Sequence, residues 1–261
     1  MKVVLGLALL GLASLGAAEH QLGDTAVTKT RSVTKLAEGV YMIRHPDAPN
    51  TFPQGNTLVV IGGREVLVVD SCYLPSSAAE DLKQIRAWTD KPIRYLVNTH
   101  WHFDHTMGNG VYAAANPGLK IIAHRETQKR IAGMNASYIA RFPEITANLQ
   151  RVADTGKLST GEEVSETDRK DYAEAAKGQA AVLEEYKKMV DKAPDTPFED
   201  KMEIDLGERK VQILFLGRGN TAGDAVVYLP KEKILATGDL LDSPVHYLGG
   251  GFPVDLVQTL K

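Results

Sequence analysis

Apolar positions come in short blocks through the first third of the chain. Val40 to Ile43, Thr57 to Ile61, Val66 to Val69 and Ile93 to Val97 are apolar, β-branched runs of strand length. Gly62-Gly63-Arg64-Glu65 joins the second and third of these as a hairpin turn. Pro75 then opens a helix with Ala79, Leu82, Ile85 and Trp88 at helical spacing. Strand, helix, strand in this order is a βαβ crossover. The loop after Val97 therefore lies at the carboxyl end of a sheet strand, where such folds gather ligands. A short helix over Val111 to Ala115 and a strand over Leu119 to Ala123 continue the pattern, and His124 ends that strand, outside the expected site. The residues before Val40 read as a polar arm through Thr34, and the Pro- and Asn-rich stretch 45–55 as a loop able to shape a pocket rim.

From Arg125 to about Ala193 the pattern turns helical and charged. Its best segment, Thr167 to Val190, places Tyr172, Ala175, Ala176, Val182, Leu183, Tyr186, Met189 and Val190 on one face. Ser165 and Asp168 form a capping box at its start, Glu184 and Lys188 an i,i+4 pair, and Pro194 its stop. This region reads either as a cover for a pocket or partner, or as a helical excursion outside the sheets. Strands return over Met202 to Leu206, Lys210 to Leu216, Ala225 to Leu229 and Ile234 to Thr237. Two polar loops follow strands in this half, Gly217 to Asp224 and Gly238-Asp239. The fold class is α/β.

Composition narrows the picture. With 43% hydrophobic and 24% charged residues, 261 residues suit one large or two small globular domains. A net charge of −3 offers no basic field for nucleic acid. Lys2, the apolar run Val3 to Gly16 and the small residues Gly16-Ala17-Ala18 read as a secretory signal over residues 1–18, leaving a mature chain of 19–261. The run is short of the about 20 residues a membrane span needs, so the expectation is a secreted or periplasmic protein without stable membrane insertion after cleavage. Cys72 is the only cysteine, which excludes an internal disulfide and a Cys-rich zinc module.

Chemistry concentrates in Thr99-His100-Trp101-His102-Phe103-Asp104-His105, which holds three of the seven histidines and a carboxylate. Imidazoles at i and i+2 converge only if the backbone kinks, and the glycines in Thr106 to Gly110 offer that freedom. Asp104 and His105 then reach a second ion beside the first. A Gly-Asp such as Gly238-Asp239 after a strand suits either a turn or an oxygen ligand.

The hairpin ending in Asp70, the THWHFDH cluster, the glycine-rich loop around Asn220 and the strand closing on Gly238-Asp239 together resemble the metallo-β-lactamase superfamily. The likeness covers about residues 35–124 and 200–260, with a helical insertion at about 125–197. It implies an αββα sandwich of two mixed β-sheets flanked by helices, with a metal site along one edge. By the same likeness, His100 and His102 bind a first metal, Asp104 and His105 a second, and Asp239 bridges them, while Asp70 braces the loop. Zn2+, as one or two ions, is the implied cofactor, and an oxygen-rich site also suits iron or manganese. Asp104 is the implied catalytic residue, orienting the nucleophile and carrying its proton.

Two departures accompany the likeness. Asn220 stands where the family usually has a third histidine for the first metal, and an amide oxygen is a weaker zinc donor than imidazole. The family's last histidine, in a Gly-His loop beyond the bridging aspartate, has no counterpart before Lys261, and His246 follows Asp239 too closely to replace it. The chain is therefore expected to be a C-terminally incomplete domain. The implied activity is that of an exported hydrolase, using a metal-bound hydroxide on an ester, thioester, lactone or related bond of a small-molecule substrate. Aspartate at the bridging position is unlike true β-lactamases of the family, which usually carry cysteine or serine there. Export keeps β-lactam hydrolysis as an alternative, and Asn220 keeps a metal-binding protein with little catalysis as another.

Overall fold

The computed structural model describes residues 30–242, 247 and 249–261. The expected signal and His246 lie outside the described residues. In chain order the strands and helices are β1 (Ser32–Ala37), β2 (Val40–Arg44), β3 (Asn56–Ile61), β4 (Val66–Val69), α1 (Pro75–Trp88), β5 (Ile93–Val97), α2 (Phe103–Thr106), α3 (Asn109–Ala115), β6 (Lys120–His124), α4 (Arg125–Ile131), α5 (Met134–Ala140), α6 (Phe142–Thr155), α7 (Glu166–Tyr186), β7 (Thr196–Phe198), β8 (Lys201–Asp205), β9 (Lys210–Phe215), β10 (Ala225–Leu229), β11 (Ile234–Ala236) and α8 (Pro253–Thr259). Described residues fall into two compact units. One holds Pro46–Pro53 and Ala136–Lys188, the other Thr30–His45, Gln54–Asn135 and Met189–Lys261. Among the described residues no helix is long and apolar enough to cross a membrane.

The larger unit contains two sheets. Seven strands run in the order β1 to β7, antiparallel from β1 to β4 and parallel from β4 to β7. The other sheet, β11-β10-β9-β8, is antiparallel throughout, so only one of the two sheets is mixed. All four residues of β4 are buried because the strand has apolar matter on both faces. Leu67 and Val69 point into a core shared with Val211, Ile213, Val227 and Leu229 of the other sheet. Their neighbours Val66 and Val68 point the other way, against Ala78 and Ile85 of α1 and Tyr112 of α3. Leu256 of α8 covers Val226 on the outer face of the four-stranded sheet. The layers are thus helix, sheet, sheet, helix, as expected. Each fully buried aliphatic side chain contributes roughly 1.5–3 kcal/mol, so the two cores hold the layers without a cross-link.

In the smaller unit, α6 and α7 pack through Phe142, Ile145, Leu149 and Val152 on one side and Tyr172, Ala175, Ala176, Val182 and Tyr186 on the other. Phe142 stacks on Tyr186 with ring centroids 5.4 Å apart. The capping box is present, with Ser165 accepting from the Asp168 backbone and Asp168 accepting from that of Ser165. Asn50 donates to Gln179 at 2.8 Å, both side chains buried.

Several local expectations are corrected. The polar arm is strand β1, hydrogen-bonded along β2, with nearly every side chain exposed. An edge strand held by its backbone leaves little hydrophobic signal. β7, inside the expected helical insertion, pairs with β6. Helix α7 stops at Tyr186, well before Pro194, and Val190 is 70% exposed. Residues after it are taken by tertiary bonds instead, Lys192 accepting from Asn109 and Asp191 from Asn135. Glu184 therefore pairs with Lys187, not Lys188.

The glycines after the histidine cluster serve close packing rather than backbone freedom. Gly108 has an ordinary helical φ of −81°, and a Cβ there would lie 2.1 Å from the Ser71 carbonyl oxygen. At Gly110 the same atom would meet the Val190 carbonyl oxygen at 1.7 Å. Gly110→Ala is accordingly expected to destabilise the protein by about 1–3 kcal/mol, read as a lower urea midpoint. An unchanged midpoint would show that residues 189–192 do not bear on α3.

Candidate metal centre

The centre begins with Asp70, where β4 ends. Its backbone lies in the left-handed region, φ +60°, which turns the chain sharply and leaves the carboxylate buried beneath the end of β5. Asp70 accepts from the Thr99 backbone at 2.8 Å, from the Thr99 hydroxyl at 2.8 Å and from His105 Nδ1 at 2.7 Å. Because Thr99 spends its only hydroxyl proton on Asp70, it must accept from His100 Nδ1, 3.0 Å away. Both His100 and His105 thereby carry hydrogen on Nδ1 and turn Nε2 toward the centre.

Those Nε2 atoms converge on Asp239. His100 Nε2 lies 2.8 Å from His102 Nδ1 and 3.3 Å from Asp239 Oδ2, and His102 Nδ1 lies 3.9 Å from that same oxygen. The other carboxylate oxygen, Asp239 Oδ1, lies 3.2 Å from His105 Nε2, which is 3.4 Å from Asp104 Oδ2. Two ligand groups result, His100-His102-Asp239 and Asp104-His105-Asp239, with the donor atoms of each within 4.8 Å of one another.

The local fold explains this convergence. His102 occupies the N-cap position of α2 without a side-chain capping bond, and that single helical turn, rather than glycine, supplies the kink that carries Asp104 and His105 to the second group. Buried Asn98 and Asn109 brace the turn: Asn98 Nδ2 donates to the His105 carbonyl at 3.0 Å, and each amide donates to the other. Asp239 arrives on a 3-10 turn, Gly238–Leu240. Gly238 has φ +52°, and a Cβ there would lie 2.5 Å from the Thr99 hydroxyl, so only glycine lets this turn approach. Thr99, Asn98 and Asn109 were not singled out from sequence; their partners lie too far away along the chain for local pattern to show.

Asn220 is buried but makes no hydrogen bond to the three histidines or the two aspartates. Its Nδ2 donates to the Tyr247 carbonyl at 2.8 Å, and the Tyr247 ring stands 6.0 Å from that of His102. Its Oδ1 is buried with no hydrogen-bond partner among the described residues. Asp224 organises the surrounding loop by accepting from the backbones of Gly219 and Thr221 and the Thr221 hydroxyl. His124 is the buried N-cap of α4, accepting from Glu126 and stacked on Phe215, and belongs to neither ligand group.

Electrostatics set the cluster's demand for a cation. Burial works against charge on His105, yet Asp239, Asp104 and Asp70 together hold its pKa well above the ordinary imidazole value. Burial likewise opposes charge on Asp239, but His105 and His100 hold it well below the usual carboxylate range. His102 is shifted down, chiefly by burial. Asp242, absent from the sequence-based site, is pushed up to about 7 by burial and the neighbouring Asp239. Imidazole nitrogens and carboxylates facing one another at these distances fit divalent cations that take the place of the imidazole protons, and the mixed N and O donors suit zinc, iron or manganese.

The comparisons with known proteins agree on this frame. The model of the metallo-beta-lactamase superfamily matches residues 50–260. A lactamase-like protein, aptB, of Emericella nidulans is 35% identical over 88 residues, which are 33% of this chain and 28% of that protein. The chain thus spans under a third of the length of that relative. Among solved structures, a metallo-beta-lactamase from Pontibacter korlensis has a TM-score of 0.52 at 19% identity, covering 84% of this chain and 77% of the other. Metallo-beta-lactamase IND-7 gives 0.58 at 13% identity, covering 89% and 83%. At such identities the structural likeness concerns the fold.

Proposed function

The chain belongs to the metallo-β-lactamase superfamily; from this premise we propose that it is an exported metal-dependent hydrolase that cleaves an ester, thioester, lactone or related bond of a small molecule. The observation that carries this reading is Asp239, whose two oxygens face two separate ligand groups. A carboxylate shared in this way suits a dinuclear centre. His100, His102 and Asp239 would hold one ion, and Asp104, His105 and Asp239 the other. Ions held there supply a water nucleophile at neutral pH and polarise the bond under attack.

The protein's own groups do the rest. Asp70 fixes the tautomers of His100 and His105. Asp104, with its side chain 13% exposed, can accept the proton of an attacking water and return it to the leaving group. Asn220 Oδ1 would complete the first group as a weak oxygen donor, and its unpaired burial supports that role. Export rests on Lys2 and the apolar run that follows it.

The test is metal content by mass spectrometry together with turnover on a panel of aryl esters, thioesters, lactones and nitrocefin. The protein should bind one or two transition-metal ions and cleave a member of the ester, thioester or lactone set, and Asp104→Ala should lower turnover by about a hundredfold. Bound metal without turnover would favour a metal-binding protein; nitrocefin cleavage alone would favour β-lactam hydrolysis. Asn220→His is expected to tighten the first ion by about tenfold, measured by competition with a chromophoric chelator, because imidazole is the better zinc donor. Unchanged affinity would mean that residue 220 does not reach the ion.

A further inference from the structure

Trp101 sits between His100 and His102, and its ring stands edge to face with that of His102 at 4.3 Å. Over this ring lies the guanidinium of Arg130, with Cζ 5.0 Å from the centroid. Arg130 is exposed, and among the described residues it has no carboxylate partner. Its neighbours on the surface are paired: Arg125 with Glu199 and Lys129 with Glu126. A guanidinium stacked on an indole keeps its planar N–H edge free, and that edge matches the two oxygens of a carboxylate.

Arg130 is also held in place. It lies in the last turn of α4, which His124 caps at its start. The buried Thr127 hydroxyl donates to the Gly223 carbonyl at 2.7 Å, tying α4 to the glycine-rich loop, and Ile131 beside Arg130 is fully buried. The cation is therefore presented by a helix fastened to the glycine-rich loop and stands one aromatic ring away from a candidate ligand.

We propose that Arg130, steadied by Trp101, binds a carboxylate on the substrate, so that the preferred substrates are anionic esters, thioesters or lactones rather than neutral ones. The proposal rests on the hydrolase reading and adds the substrate's charge to it. Asp104 and Asp239 leave the centre itself poorly suited to an anion outside its ions, whereas Arg130 supplies an anchor set to one side of it.

The test pairs 4-nitrophenyl hydrogen glutarate with 4-nitrophenyl valerate, which differ in a terminal carboxylate against a methyl group. Zinc-loaded wild-type protein should favour the anionic ester in kcat/KM by about tenfold or more. Arg130→Gln should shrink that ratio by about tenfold, mainly through KM for the anionic ester, and Arg130→Lys should restore part of it. A ratio near one in the wild type, or one unmoved by Arg130→Gln while both rates fall together, would overturn the proposal and leave the hydrolase reading standing. Failure to cleave any ester, thioester or lactone would sink the hydrolase reading instead. Calorimetric titration with glutarate then decides the carboxylate site: binding weakened about tenfold by Arg130→Gln supports it, and equal binding by both proteins overturns it.

Discussion

Asp239→Ala should empty both ligand groups at once and lower kcat/KM on any cleaved substrate by about a thousandfold or more, since two ions acting on the transition state contribute several kcal/mol. The expectation follows from the way the side chain divides its oxygens. Oδ2 serves the group with His100 and His102, and Oδ1 the group with Asp104 and His105. Alanine leaves the second group two protein donors and the first only two imidazoles and the weak Asn220 oxygen, and it removes negative charge that helps neutralise the cations. It also leaves His100 Nε2 and His102 Nδ1 facing each other without an anion between them. Asp104→Ala spares the first group, so the two variants separate by metal count as well as by rate. Mass spectrometry after equilibration at fixed free zinc should find close to no ion in Asp239→Ala and about one in Asp104→Ala. Retention of wild-type metal content by Asp239→Ala would refute the shared-carboxylate centre.

Which parts of this were legible in the sequence follows from the range of the interactions involved. The cores were legible, because β4 is an unbroken apolar run, β5 is interrupted only by Arg94, and α1 has its apolar residues at helical spacing. The candidate ligand cluster could be picked out for a related reason: four of its residues lie within a six-residue stretch. What escaped were features with no local signature. β1 is exposed along almost its whole length, and β7 is a three-residue Thr-Pro-Phe whose only mark as a strand is its partner β6. Met189 and Val190 keep the apolar pattern of α7 but lie beyond its last turn, where the Val190 carbonyl packs on Gly110, which no periodicity can reveal. The glycines after the cluster looked like hinges and are packing contacts with Ser71 and Val190. At the centre, the ligands came from motif, but Thr99 as the relay between Asp70 and His100 needed three dimensions.

That relay gives Asp70→Asn a consequence out of proportion to one atom. Asparagine tolerates positive φ nearly as well as aspartate, so the turn should survive. If its Oδ1 keeps the bond from the Thr99 backbone, its Nδ2 must face the Thr99 hydroxyl and His105 Nδ1, where the native oxygen accepts from both. Thr99 then accepts from the amide and turns its own proton toward His100 Nδ1. His105 accepts at Nδ1 as well. Both imidazoles are driven to carry hydrogen on Nε2, the atom aimed at Asp239, and lose the lone pair an ion requires. Metal affinity is expected to fall by about a hundredfold in each group although every ligand remains. Losing charged acceptors in a buried network should also cost about 2–3 kcal/mol of folding stability in the metal-free protein, read from urea titrations. The two readouts separate orientation from mere destabilisation, because a protein that is folded at the assay temperature and still binds metal weakly has lost ligand geometry rather than fold. Wild-type metal affinity in Asp70→Asn would show that Asp70 orients neither histidine, whatever happens to the urea midpoint.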